Sequence, residues 1–264
     1  GINGQVGSLR PPRQLKVATV EPGSPAANAG VQRGDSVRFI NNIDFVNDNT
    51  EAGINTLNTA LVDLVAGASF RFTFERVNGS RFTANLRSAE VATTPVQNVK
   101  VLNNAGTKVG YLQFNSHIAI AQPQLIAAVE LFAQQNVSEL VVDLRYNGGG
   151  LISVADTMMD LLAGVTAEGE PSFKIQVNDQ HPDYNEDQGN WGIFDRLPET
   201  ASPIRIAFIT SGNTASASEL VINGLAPHVE TVLIGANTYG KQVGQARWDM
   251  HEQIENLERA DCDV

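Results

Sequence analysis

Residues 206–245 read IAFITSGNTASASELVINGLAPHVETVLIGANTYGKQVGQ. The apolar run Ile206–Ile209 predicts a buried strand, and the small residues Thr210–Ala215 predict a turn. Ser216 then opens a segment, Ala217–Leu225, in which Leu220, Val221 and Leu225 recur at helical spacing. A second apolar strand, Thr231–Ile234, leads into a turn holding Gly240, Lys241 and Gln245. A hydroxyl at a helix start, with an amine on the turn after the next strand, is what a serine–lysine hydrolase requires. The plainer reading of the same residues is a capping box, Ser216 with Glu219 three residues on, and a solvated surface lysine.

Working outward, the 264 residues suffice for one large core or two modest ones. The formal net charge of −11 argues against nucleic acid or an anionic membrane surface as partner, because both attract basic patches. No apolar run reaches the length of a membrane span. Cys262 is the single cysteine, which excludes an internal disulfide and a cysteine-rich zinc site. His117, His181, His228 and His251 show no metal-ligand spacing with carboxylates, so all four read as structural or exposed, and neither metal nor cofactor is expected. His228, one helix length from Ser216, points away from it.

Upstream, residues 1–13 read as a loop or the remnant of something longer. Leu15–Val20 alternates as a strand, Ser24-Pro25 starts a short helix that Gly30 ends, and Ser36–Ile40 is a strand. A helix over 55–64 places Leu57, Leu61 and Leu64 on one face. Strands over 69–76 and 81–87 meet at Asn78-Gly79, a strong hairpin signal. A polar connector over 89–97 marks a domain boundary. Beyond it come strands over 96–102 and 109–114, a helix over 122–135 with Leu125, Ile126, Val129 and Phe132 in one stripe, and the buried-type strand Glu139–Leu144. A helix over 154–162 follows, then a weak strand over 173–177. Residues 178–192 read as a long exposed loop with Trp191 and Phe194 pinning one end, and a last helix is expected over 251–259. Arg145-Tyr-Asn-Gly-Gly-Gly150 ends the buried strand. Glycines at such an edge free backbone N–H groups to face an anion, or simply make a tight turn. Asp143 and Arg145 read as core-holding polar contacts.

Three stretches, VVDLRYNGGGLI, TSGNTASASELVINGL and IGANTYGKQVGQ, together resemble the strand-and-glycine, nucleophile and lysine motifs of the C-terminal processing peptidases, or tail-specific proteases. Gly148 stands where proline is frequent in that family, and Gln242 where glycine is usual. SPAANAGVQRGDSV, within residues 14–89, resembles a PDZ domain of the bacterial envelope type. The resemblance implies an α/β chain: a PDZ domain (an α+β, partly open barrel) over 14–89, then an αβ-spiral serine peptidase core, crotonase- or Clp-protease-like, over 96–264. It implies Ser216 as nucleophile, Lys241 as general base and Gln245 as the residue orienting the lysine. Gly149, Gly150 and Ala217 would supply the oxyanion hole. Substrates would be proteins or peptides with unstructured C-termini, cleaved through an acyl-enzyme, and the location periplasmic or otherwise extracytoplasmic. The PDZ groove, between Leu15–Val20 and the helix over 55–64, would take a peptide C-terminus as an added strand or only gate the core. Gly7–Arg10 is not a clear version of the expected carboxylate-binding loop. The family's core usually continues beyond the lysine motif, so further chain or a homo-oligomeric partner is expected to complete it. A catalytically inactive peptide- or lipid-binding protein on the same scaffold is the alternative.

An exposed lysine, with a pKa of about 10.4, cannot accept the serine proton at neutral pH. Burial among apolar walls is therefore expected around Lys241, and a neutral amide at Gln245 adds no charge to oppose it.

Overall fold

The computed structural model describes residues 2–62, 65–180, 182–201, 203 and 205–245. The helix expected over 251–259, His181, His251 and Cys262 lie outside the described residues. The chain divides into two compact units, Gly1–Thr94 and Pro95–Val264, so the break falls within the polar connector.

The first unit contains β1 (Ile2–Ser8), β2 (Gln14–Val20), α1 (Pro25–Asn28), β3 (Ser36–Ile40), β4 (Ile43–Asp44), α2 (Glu51–Leu61), β5 (Ser69–Glu75) and β6 (Arg81–Arg87). Its sheet runs β1-β2-β3-β5-β6, with β4 paired to β3. Residues 2–8, expected as a loop, are thus a strand. Their glycine-rich sequence carries no alternation, and antiparallel pairing with β2 (Ile2 opposite Val20, Ser8 opposite Gln14) makes them one. Alternation does set the register elsewhere: Phe72 and Phe74 are buried on β5 and Ala84 on β6, around a core with Val17, Val37, Ile40 and Leu57. Ser24 caps α1 through Ala27 N–H, and Thr50 caps α2 through Gly53 N–H. A cavity of about 520 Å³ is lined by Gly4 of β1, Leu15 of β2, Ile54, Leu57 and Leu61 of α2, and Phe72 of β5.

The second unit contains β7 (Val96–Asn104), β8 (Thr107–Phe114), α3 (Ala121–Gln134), β9 (Glu139–Asp143), α4 (Ile152–Ala163), β10 (Pro171–Lys174), α5 (Pro182–Glu186), β11 (Trp191–Ile193), β12 (Arg205–Thr210), α6 (Ala217–Leu225) and β13 (Glu230–Gly235). The main sheet is ordered β13-β12-β9-β8-β7, parallel except for the antiparallel edge pair β7–β8. The loop expected over 178–192 holds α5 and ends in β11, which pairs antiparallel with β10. Phe194 is fully buried, as its anchoring role required. Helix α4 packs against α3 and α6, and Val154, Met158, Leu161, Val221 and Leu225 lie in the shared buried core. Parallel pairing brings the C-terminal ends of β8, β9, β12 and β13 to one edge, and every motif of interest follows one of those ends.

Asp160, on α4, is buried and accepts Asp195 N–H through Oδ1 at 2.8 Å. Burial, with Asp156 and Asp195 nearby, pushes its carboxyl up to about 6. Between the ordinary value and 6 the folded state holds the extra proton, so this group's contribution to stability falls as pH rises through that window. Asp160→Asn keeps the acceptor and removes the charge. It should raise stability at pH 8 by about 1 kcal/mol, allowing for solvent screening, and change little at pH 4, as read from denaturant melts at both pH values.

Candidate active site

Three turns leave neighbouring parallel strands at the same edge: residues 144–151 after β9, 211–216 after β12 and 236–241 after β13. Crevices at the carboxyl ends of parallel strands are where such sheets bind ligands.

The first turn is built around Asn147, fully buried. Its Nδ2 donates to Phe114 O at 3.1 Å, and its Oδ1 accepts Gly149 N–H at 3.0 Å. Gly149 has φ +97 and Gly150 φ +142, both in the region that favours glycine. A methyl group at 149 would lie 2.8 Å from Ser216 Cβ and 2.8 Å from Ala217 N, so the glycine turn and the serine turn touch. One at 150 would collide with His117 O.

The second turn presents Ser216 as N-cap of α6 with φ 56 and ψ −118, a left-handed backbone for a non-glycine residue. Such a residue costs on the order of 1–3 kcal/mol and persists only where its surroundings enforce it. Here Thr214 Oγ donates to Leu144 O (2.8 Å), Ser218 Oγ to Asn147 O (3.0 Å) and Ala215 N to Asn147 O (3.2 Å), tying the serine turn to the glycine turn.

The third turn is held by one carboxylate. Glu219, buried in the first turn of α6, accepts Ser216 N–H (2.8 Å) and Lys241 N–H (2.9 Å) on Oε2, and Gly240 N–H (2.6 Å) on Oε1. Tyr239 N–H donates to Thr214 O at 2.8 Å. The Glu219 contact expected from the capping box is present, and the same side chain also pins the lysine turn beside the serine. Burial works to raise the Glu219 carboxyl. Hydrogen bonds from the Thr238 hydroxyl and from Gly240, Ser216 and Lys241 N–H outweigh it and hold the group below the ordinary carboxylate value.

Lys241 Nζ donates to Gln245 Oε1 at 3.1 Å, the pairing anticipated for these two residues. The lysine is half-buried rather than enclosed by apolar walls, and Gln245 is exposed. The amine's bond is to Gln245 and not to Ser216. The expectation of a deeply buried base is corrected in this respect, because Lys241 sits on an exposed turn with only partial cover. Gly149 N–H is already taken by Asn147, whereas Gly150 and Ala217 N–H have no acceptor among the described residues.

Asp143 and Arg145 pair with each other, and Tyr111 OH donates to Asp143 Oδ2 at 2.9 Å. They form a polar brace at the end of β9, consistent with a core-holding role. Burial, then Asp143, pushes the Tyr111 phenol up to about 12. His228 sits edge-on to Phe194, ring centroids 4.9 Å apart. His117 is buried, its Nδ1 3.0 Å from Asn147 Oδ1, and burial pushes it down to about 4 despite that contact. Its burial fits a structural reading, but its place against the glycine turn was not visible in residue spacing. Among the described residues no cluster of histidine, cysteine or carboxylate side chains could hold a metal ion.

Glu219→Gln replaces an acceptor with an N–H donor facing backbone N–H groups. It should cost about 1–3 kcal/mol and speed hydrogen exchange at Gly240 and Lys241, measured by NMR at pH 7. Because the carboxyl is held low, the clamp's contribution is complete above the ordinary glutamate value and is lost as pH falls through the lower folded one.

The family model described as Peptidase family S41 matches residues 108–256. Over 242 residues the chain is 27% identical to a carboxyl-terminal-processing protease of Picosynechococcus sp., covering 89% of this chain and 53% of that protein. Over 244 residues it is 26% identical to the chloroplastic carboxyl-terminal-processing peptidase 1 of Arabidopsis thaliana, covering 90% of this chain and 46% of that one. The solved structure of a Bacteroides fragilis protein assigned to the S41 proteases aligns with a TM-score of 0.73 at 24% identity, over 94% of this chain and 66% of that chain. At that identity the likeness is one of fold. The chain spans about half the length of the curated relatives it matches.

Proposed function

Because the chain belongs to peptidase family S41, we propose that it carries the catalytic centre of a serine endopeptidase that cleaves protein tails through an acyl-enzyme. Ser216 is the nucleophile, Lys241 the general base, Gln245 the residue that orients the lysine, and Gly150 and Ala217 N–H the oxyanion donors, with the Gly149 backbone shaping that hole. The observation that carries this reading is the shared oxygen of Glu219, which sets the Ser216 and Lys241 backbones side by side at a strained helix start.

In the reaction, Ser216 Oγ attacks the scissile carbonyl and its proton passes to Lys241 Nζ. The carbonyl oxygen gains charge where two uncommitted N–H groups and the N-terminus of α6 face it. The amine then gives its proton to the leaving amine, and water releases the acyl group. Lys241 must be neutral to begin. Its half-exposed position means that water has to be excluded by a bound peptide or by covering chain, and Gln245 accepts from the amine without adding negative charge.

The first unit acts as a PDZ-type module that binds or gates tails. The strand that accepts the peptide is β1, not the expected β2: β2 is paired on both sides, whereas β1 lies at the sheet edge beside the apolar cavity. An edge strand next to a pocket is what strand addition requires. The half-exposed lysine is the one observation favouring an inactive binding protein instead.

Ser216→Ala and Lys241→Ala should each lower tail-peptide cleavage by about 10³-fold or more with unchanged melting temperature, while His228→Ala stays active. Equal activity in the Lys241 variant would overturn lysine as the base, whereas a Ser216→Ala protein that still performs the cellular role would leave the binding reading in its place. Leu61 is 38% exposed at the mouth of the cavity. Leu61→Lys should weaken binding of apolar-ended peptides about tenfold, measured by fluorescence anisotropy, without unfolding the unit.

A further inference from the structure

Besides Glu219 and Asp143, another buried ionisable side chain, His117, touches the same turns. His117 follows β8 and is bonded to the glycine turn three times. Its N–H donates to Gly149 O (3.1 Å), its carbonyl accepts Leu151 N–H (2.7 Å), and its ring Nδ1 faces Asn147 Oδ1 (3.0 Å). The backbone pair brackets Gly150 from both sides. The side-chain pair fixes the ring's tautomer. Asn147 is oriented by its donation to Phe114 O and by accepting Gly149 N–H, so the atom facing His117 is an acceptor and Nδ1 must carry the proton. Nε2 is then a bare lone pair, buried and without a partner among the described residues. The ring is wedged against Phe114, centroids 4.4 Å apart.

Asn147 in turn bears the serine turn, since its carbonyl accepts from Ala215 N and Ser218 Oγ on either side of Ser216. The chain His117–Asn147–serine turn runs through side-chain and backbone atoms of a single asparagine. Loss of the Nδ1 contact leaves Asn147 Oδ1 held by Gly149 N–H alone and loosens the turn that carries Gly150.

We propose that His117 is a positioning residue: its Nδ1–H holds Asn147 so that Gly150 N–H is aimed at the oxyanion formed on attack by Ser216. This rests on the reading of Ser216 as nucleophile. A donor aimed at charge that develops only during attack affects the chemical step more than binding. His117 touches no reacting atom and passes no proton.

The experiment uses the full chain and a synthetic tail peptide, with three variants that separate hydrogen bonding from shape. In His117→Asn the amide nitrogen takes the place of Nδ1; in His117→Gln it reaches toward that of Nε2; His117→Phe keeps only the bulk. His117→Asn should retain kcat within about threefold, and His117→Gln and His117→Phe should lose about tenfold or more in kcat at unchanged KM. Nitrogen-15 NMR of the imidazoles, assigned by the signal lost in the variants, should show His117 neutral with the proton on Nδ1 at pH 7. The role is overturned if His117→Asn falls as far as His117→Phe, if the losses fall on KM, if they track melting temperature, or if the proton sits on Nε2. Wild-type activity matched by His117→Phe overturns this role alone. A wild-type protein that neither cleaves nor is acylated by a serine-directed probe overturns the nucleophile reading and this role with it, while the NMR still decides the His117–Asn147 bond.

Discussion

A single buried carboxylate governs the geometry at the working edge of the second unit. Glu219 gathers backbone N–H groups from the serine turn and from the lysine turn, two segments separated by a helix and a strand. A carboxylate can accept several such bonds at once, and away from water each is costly to lose. Without it, the lysine turn would be held to the serine turn by the Tyr239–Thr214 backbone bond, the Thr210–Ala236 bonds and the β12–β13 pairing. Asn147 does the equivalent for the glycine turn. The site is thus two polar junctions, one anionic and one neutral, set into the ends of parallel strands.

That arrangement explains why short motifs far apart in sequence meet. Buried parallel strands are brief apolar runs whose ends share one edge. Whatever follows each run is delivered to the same place, and the register Ile206–Leu140 and Ile206–Thr231 lines up the three turns. Side-chain hydroxyls of Thr214 and Ser218 then bond carbonyls of the β9 turn, so the contact between turns does not depend on the side chains of Ser216 and Lys241.

Much of this was legible in the chain. Fully buried strands such as Glu139–Asp143 and Arg205–Thr210 stand out because turn residues bound them, and α6 begins where Ser216 and Glu219 suggest. Other features leave no local mark. β1 is a strand because β2 offers it a partner, which neither its glycines nor its polar residues announce. β11 is likewise created by pairing with β10 inside a stretch that reads as loop. Glu219 looks like an ordinary helix cap, since its second set of partners lies more than twenty residues on. Half-burial of Lys241 could not be read either: spacing says which residues meet, but how dry they are depends on everything packed around them.

The backbone of Ser216 carries a further implication. A left-handed conformation at a residue with a side chain is an expense borne at all times, whether or not anything occupies the crevice. On backbone strain alone, glycine would suit position 216 better, because it adopts that conformation without a steric clash. On that count, a residue with a side chain there holds this fold below the stability its architecture could reach.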